Sequence, residues 1–239
     1  MPAPAEVALE QYFSTPDDRR YEVKFVTSME HLPVVLAWLE THPAGFAPTF
    51  PPRRVRNVYF DTPELAAWSS NVAGISRRLK PRLRWYGDGN APAQSRLEVK
   101  HRKASEGWKT SVPIDVPLDL EAMRWSEVLR VLRDASPPAV RLLLEVAHSA
   151  TLINQYDRRY LETPDRRLRV TIDEDVRVWP QIGRSRPQLR HPSRLPDAIV
   201  VELKCDTRDR KDAERALAEI PLRASRMSKY VSGIDSLLL

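Results

Sequence analysis

The chain has 239 residues, 42% hydrophobic and 29% charged, with a net charge of +6, 21 prolines, 7 glycines and one cysteine. That length supports one large domain or two small ones. The lone Cys205 excludes an intramolecular disulfide and a cysteine-built metal cluster, and no apolar run approaches the ~18 residues of a membrane span. The opening MPAPAEVALEQYF lacks the basic and apolar regions of a secretory signal, so a cytoplasmic location is the expectation. Charge is unevenly spread: between Arg53 and Lys109 stand thirteen Lys/Arg and five Asp/Glu, a local balance of +8 against the total of +6. A basic block of that kind points to an anionic ligand rather than to general solubility charge.

In chain order, residues 1–19 read as a flexible lead and 20–239 as a single domain. RRYEVKFV (19–26) alternates as a strand, and SMEHLPVVLAWLET (28–41) reads as a helix with Ser28 as N-cap and Pro33 near its first turn. HPAGFAPTFPP reads as a proline-rich loop, RVRNVYFDT (54–62) as a strand ended by a DTPE turn, and ELAAWSSNV as a short helix. Strands near 77–86 and 95–103 flank GDGNAPAQ, which has hairpin chemistry, and GWKTSVPIDV predicts another strand. Residues 119–135 place Met123, Val128, Leu129, Val131 and Leu132 at helical spacing. LLEVAHSATLINQYDRRYLE predicts one or two strands and RRLRVTIDEDVRVW another. The basic segment 183–196 reads as a solvated loop, AIVVELKCD as a strand, and RKDAERALAEI and SKYVSGIDSLLL as helices.

Five strands share one device. Glu22 and Lys24 alternate with Val23 and Phe25, and Lys80, Arg82 and Arg84 with Leu83 and Trp85. Arg96, Glu98, Lys100 and Arg102 alternate with Leu97 and Val99. Arg167, Arg169 and Asp173 alternate with Leu168, Val170 and Ile172, and Glu202, Lys204 and Asp206 with Val201, Leu203 and Cys205. Side chains alternate across a strand, so each has one ionic and one apolar face. Half-exposed strands on a core account for any one of them. Five of them, almost all long ions, predict a closed antiparallel barrel with a charged interior and an apolar exterior under helices. A confined set of cations needs counter-charge, and a chain of phosphates supplies it: Arg grips phosphate oxygens in pairs and Lys adds a point charge. Carboxylates beside it suit Mg²⁺ or Mn²⁺.

In this order YEVKF, VRNVYFDT, LKPRLRWYG, LEVKHR, YDRRY, LRVTID, VVELKCD and SKY resemble the VTC domain. That is the polyphosphate polymerase domain of the vacuolar transporter chaperone complex, in the CYTH-like superfamily of triphosphate tunnel metalloenzymes. The resemblance implies an α+β fold, a closed eight-stranded antiparallel β-barrel with helices outside. It implies Mn²⁺ or Mg²⁺ as cofactor and ATP, triphosphate or polyphosphate as ligand, with nucleic acid disfavoured. Lys24, Arg82, Arg84, Lys100, Arg158, Arg169, Lys204 and Lys229 match phosphate-gripping positions, joined by Lys80 and Lys109. Glu202 matches the metal-binding glutamate, with Glu22 and Glu98 as further oxygen donors. Arg20 stands where the wider superfamily has a first glutamate.

The activity implied is transfer of the ATP γ-phosphate to a growing polyphosphate chain that threads through the barrel, with Arg82, Arg84 and Lys204 on the transferred group. A phosphate oxyanion needs no general base. Two other readings use the same wall. One is hydrolysis of triphosphate with Glu22 or Glu98 orienting water, and the other is a polyphosphate-binding module without turnover.

Overall fold

The computed structural model describes residue 13 and residues 20–103, 106–195, 198–225 and 227–238. Apart from Phe13, the expected flexible lead lies outside the described residues. The strands are β1 (Arg20–Ser28), β2 (Ala47–Asp61), β3 (Arg77–Tyr86), β4 (Ser95–Lys103), β5 (Glu106–Ile114), β6 (Ser149–Glu162), β7 (Leu168–Pro180), β8 (Ser193–Arg194) and β9 (Ala198–Asp206). The α-helices are α1 (Leu32–Thr41), α2 (Ala66–Val72), α3 (Trp125–Asp134), α4 (Pro138–Val146), α5 (Arg210–Ala216) and α6 (Lys229–Leu238). A 3₁₀ turn, Met29–His31, leads into α1, where Pro33 takes a first-turn position that needs no N–H donor.

Two elements depart from the sequence reading. The proline-rich segment is not a loop throughout, because β2 begins at Ala47. It pairs there with β6 alone, since β3 joins only from Val55, so Pro51 and Pro52 sit where one strand edge has no ladder to complete. The stretch expected to contain one or two strands holds one, β6, and its first residues, Leu143–Val146, belong instead to α4, which Pro138 opens; Val140, Leu143 and Leu144 bury one helical face. The basic segment is a largely exposed loop, as read, and is anchored at its middle: Trp179 Nε1 donates to the Leu189 carbonyl and Gln181 Nε2 to that of Gln188.

Eight antiparallel strands close into a ring in the order β6-β2-β3-β4-β5-β1-β9-β7, with β7 pairing back to β6 and β8 added on β7. The β1–β5 seam is the narrowest, carried by the Arg20–Gly107 pair, whereas β1 and β9 are in register from Arg20–Asp206 to Ser28–Ala198.

Apolar side chains gather in three places. Outside β2, β3 and β4, residues including Val58, Leu83, Trp85, Leu97 and Val99 pack under α3 and α4. Outside β1, β9 and β7, Phe25, Val170, Ile172, Val201, Leu203 and Cys205 pack under α1 and α5. The third cluster is inside the ring. Leu152 and Tyr156 of β6, Tyr59 of β2 and Val176 and Val178 of β7 meet Tyr230 and Ile234 of α6. They share the face of Arg84, Asn57 and Asn154, which align across β3, β2 and β6. The β6–β7 ladder shifts register between Gln155 and Asp157, where Asp175 adopts a φ of 47°. The extra β7 residue lets Val176 and Val178 face the same side as Asp173. Helices are therefore not confined to the exterior, as expected: α6 fills one end of the ring. At Gly233 an added Cβ would stand 2.4 Å from Leu152 Cδ2 and 3.3 Å from Val178 Cγ1.

Candidate phosphate-binding site

Along β6 the interior changes character residue by residue: Leu152 meets the α6 plug, Asn154, Tyr156 and Arg158 line the middle, and Tyr160 and Glu162 reach the opposite mouth. The middle is ionic. It is built by the alternation of β3, β4, β1, β9 and β7, whose apolar faces are held outward in the two outer clusters.

One group sits on β3, β4 and β5. Arg82 donates from Nη2 and Nε to Glu98 Oε2 at 2.6 and 2.9 Å, and Lys109 Nζ reaches Glu98 Oε1 at 2.6 Å. Arg84 donates to Asn57 Oδ1 at 2.8 Å and to the Tyr156 hydroxyl at 2.9 Å, with Glu98 3.7 Å away. Burial alone would raise the Glu98 pKa, but Arg82, Arg84 and Lys109 outweigh it and hold the carboxyl well below the usual range. Arg82 and Arg84 are 6% and 7% exposed, so their positive charge is fixed in a nearly dry wall.

A second group joins β1 and β9, where Glu22 faces Lys204 and Lys24 faces Glu202 in the ladder. Lys24 Nζ lies 2.5 Å from Glu22 and 3.2 Å from Glu202, and Lys204 Nζ lies 2.5 Å from Glu202 and 3.6 Å from Glu22. Burial works against the charged form of Glu202, yet Lys204 and Lys24 keep it ionised, its pKa well below normal. A third group was not anticipated as a unit: Asp173 accepts two bonds from Arg158 at 2.5 and 2.7 Å and one from Lys229 Nζ at 2.5 Å. Against burial, Arg158 and Lys229 bring the Asp173 pKa to about 2. Arg158 and Lys229 also lie 5.2 and 4.7 Å from the Tyr156 ring centroid.

Lys80 and Lys100 are different. They face one another across β3 and β4, with Lys109 next in line on β5. Lys80 Nζ donates to Ser228 Oγ at 3.2 Å. Among the described residues neither has a carboxylate within salt-bridge distance. Burial pushes the Lys80 pKa down to about 7, with Lys24, Arg78 and Arg82 adding repulsion. Lys100 is held well below its usual range by burial, with Arg82 and Lys24 repelling it despite Glu22. An anion placed against these two amines would favour their charged forms, which the wall alone disfavours.

Of the predicted residues, Lys24, Lys80, Arg82, Arg84, Glu98, Lys100, Arg158, Glu202, Glu22, Lys204 and Lys229 therefore meet inside the ring. Lys109 is at its partly exposed margin. Arg169 lies at the mouth, its side chain 47% exposed and donating to Glu162 Oε1 at 2.5 Å. Sequence reasoning missed Asn57, Tyr59, Asn154, Tyr156, Tyr160, Glu162 and Thr171 as wall residues and gave Asp173 no role. The signal for four of them was parity, two and four residues from Arg158 along NQYDRRYLE. Thr171 is 2% exposed and its Oγ1 has no hydrogen-bond partner among the described residues.

The three carboxylates proposed as metal ligands do not form one cluster: no group of three or more metal-ligating side chains occurs among the described residues. Glu98 is committed to Arg82 and Lys109. Glu22 and Glu202 share two lysines, and such a pair of hard oxygen donors fits Mg²⁺ or Mn²⁺ if phosphate oxygens complete the shell and the lysines turn to those phosphates.

The sequence profile of the VTC domain matches residues 19–238. The chain belongs to the VTC domain family. Among curated proteins none matches it. Of solved structures, the PH1819 protein of Pyrococcus horikoshii OT3 is similar at a TM-score of 0.51 and 13% identity, covering 91% of this chain and 99% of that one. At that identity the likeness concerns the fold alone. A Vibrio parahaemolyticus chain described as a "putative adenylate cyclase" gives a TM-score of 0.48 at 12% identity, over 89% of this VTC domain and 97% of that chain. No described helix is long and apolar enough to cross a membrane.

Proposed function

We propose that this VTC domain transfers the γ-phosphoryl group of ATP to a polyphosphate chain, with Mn²⁺ or Mg²⁺ at Glu22 and Glu202. The observation that carries the reading is the Lys80–Lys100 pair beside the buried Arg82 and Arg84: two half-buried lysines facing each other on one wall, with no salt bridge among the described residues, match a run of phosphates that would favour their charged forms. Phosphoryl transfer asks mainly for alignment and charge stabilisation. Arg82, Arg84 and Lys204 hold the transferred group, and Lys24, Lys80, Lys100, Arg158 and Lys229 align the rest of the chain. A metal held by Glu22 and Glu202 would supply charge neutralisation for the phosphates. Glu98, Glu202 and Asp173 are each tied to two or more cations and ionised, which suits a nucleophile that is already an oxyanion better than a water needing a base.

The α6 plug favours a second reading, hydrolysis of triphosphate or short polyphosphate. It fills the end through which a threaded chain would leave, so substrate and product share the mouth at Tyr160 and Glu162. Incubation with ATP and Mn²⁺ or Mg²⁺, and separately with tripolyphosphate, separates the two. Chain growth from ATP, lost in Arg84→Ala by roughly 100-fold or more, is the expected result. Phosphate release from tripolyphosphate without chain growth makes the domain a hydrolase, and neither activity leaves it a binding module.

A further inference from the structure

The mouth of the ring carries a group that phosphate binding does not use. Phe50 and Tyr160 face each other across β2 and β6, ring centroids 5.7 Å apart and edge to face. The Arg53 guanidinium carbon lies 4.5 Å from the Phe50 centroid and 5.9 Å from that of Tyr160. Arg53 forms no salt bridge among the described residues. Tyr86, at the end of β3, hydrogen-bonds Tyr160, which burial and Tyr86 hold above the usual tyrosine range. Phe50 and Tyr86 remain 47% and 49% exposed.

The local chain explains why these rings share a face. Between Phe50–Tyr160 and Arg53–Arg158 the β2 strand has one residue more than β6, at Pro51-Pro52. The bulge puts Phe50 and Arg53 both on the inner side, where Tyr160 and Arg158 point. Arg158 joins the two regions: its guanidinium carbon is 5.9 Å from the Tyr160 centroid, while its nitrogens hold Asp173 in the ionic wall. Two residues of strand, about 7 Å, separate Tyr160 from Arg158.

We infer that Phe50, Tyr160 and Arg53 form a base-stacking subsite at the mouth that holds the base of the nucleotide whose phosphates enter the ring. The base lies on the exposed Phe50 face with the Arg53 plane beside it, the sugar spans the step to Arg158, and the phosphates descend to Lys80 and Lys100. Stacking reads the π-face rather than the edge of a base, so the subsite accepts purines with little discrimination between adenine and guanine. It separates a nucleotide from inorganic tripolyphosphate, which has the same charges and no ring. The inference rests on the proposed phosphate site and adds the residues that hold the base.

The test is calorimetric titration of ATP and of tripolyphosphate, each with Mg²⁺, into the wild-type chain, Phe50→Ala and Phe50→Trp. Because Phe50 is half exposed, truncation leaves the fold intact, and equal melting temperatures check this. ATP affinity is expected to fall roughly tenfold in Phe50→Ala and to recover in Phe50→Trp, with tripolyphosphate affinity unchanged in both. Equal losses for both ligands, or no loss for ATP, overturn the base subsite. Tripolyphosphate binding without ATP binding also overturns it and leaves the phosphate site standing, whereas binding of neither overturns both.

Discussion

Lys80 shows at the scale of one residue how a wall built for an anion behaves without it. Its pKa of about 7 lies below the usual lysine range, so near pH 8 the folded, ligand-free protein holds fewer protons than the unfolded chain. Stability of the free protein therefore rises with pH from about 7 toward the ordinary lysine value, as the unfolded chain loses the extra proton. Lys100 acts in the same direction. A polyanion reverses the balance by favouring the charged form. Titrating tripolyphosphate at pH 8 in buffers of different ionisation enthalpy is expected to show net proton uptake by the protein, diminished in Lys80→Met. No uptake, or the same uptake in the variant, contradicts the placement of Lys80 against the phosphates. Residue identity at this wall was legible in the sequence wherever ions alternate with apolar residues, as in KPRLRW and VVELKCD. The pairing among ions was not. That Glu98 belongs to Arg82 and Lys109, while Glu22 and Glu202 share two lysines, depends on which strands are neighbours, and the register of β4 with β3 and β5 and of β1 with β9 decides it. The neutral wall residues carry no charge pattern: parity with Arg158 marks Tyr156, whereas Asn57 is marked only by its bond to Arg84, which also binds Tyr156.

At the scale of an element, α6 is the departure from expectation with most consequence. Its sequence, SKYVSGIDSLLL, predicts a helix and nothing about its seat. Two features put it inside the ring: the β7 bulge that turns Val176 and Val178 inward, and Gly233, whose missing side chain allows contact with Leu152. Tyr230 locks it, donating to Asp61 at 2.5 Å and stacking on Tyr59 at 5.0 Å. Gly233→Ala is expected to destabilise the protein by about 1–3 kcal/mol, as overpacking does even where helix propensity improves. Thermal or denaturant unfolding checks it, and a variant as stable as the parent contradicts the close packing of α6. The strands themselves were more legible. β3 and β4 have the bounds the alternation predicts, whereas β2 extends seven residues before Arg54, because prolines that normally signal a loop are tolerated on a stretch paired on one side only.

At the scale of the molecule, the excess of basic residues between Arg53 and Lys109 becomes a wall of one ring rather than a surface patch. The strands β1, β7 and β9, which contribute Glu22, Asp173 and Glu202, stand elsewhere in the same circle, so the interior holds both cations suited to phosphate and carboxylates suited to a metal. Sealing by α6 at one end and the aromatic mouth at the other give this enclosure a direction, with entry past Tyr160 toward Lys80. The most direct test of the enclosed cation wall is titration of tripolyphosphate into the wild-type chain and Lys100→Met. Saturable binding of one ligand per chain is expected, weakened about tenfold or more in the variant, while the ligand-free variant melts at the same or a higher temperature because an amine without a salt-bridge partner gives way to an apolar side chain. Equal affinity in the two proteins, or no binding to the wild type, contradicts it.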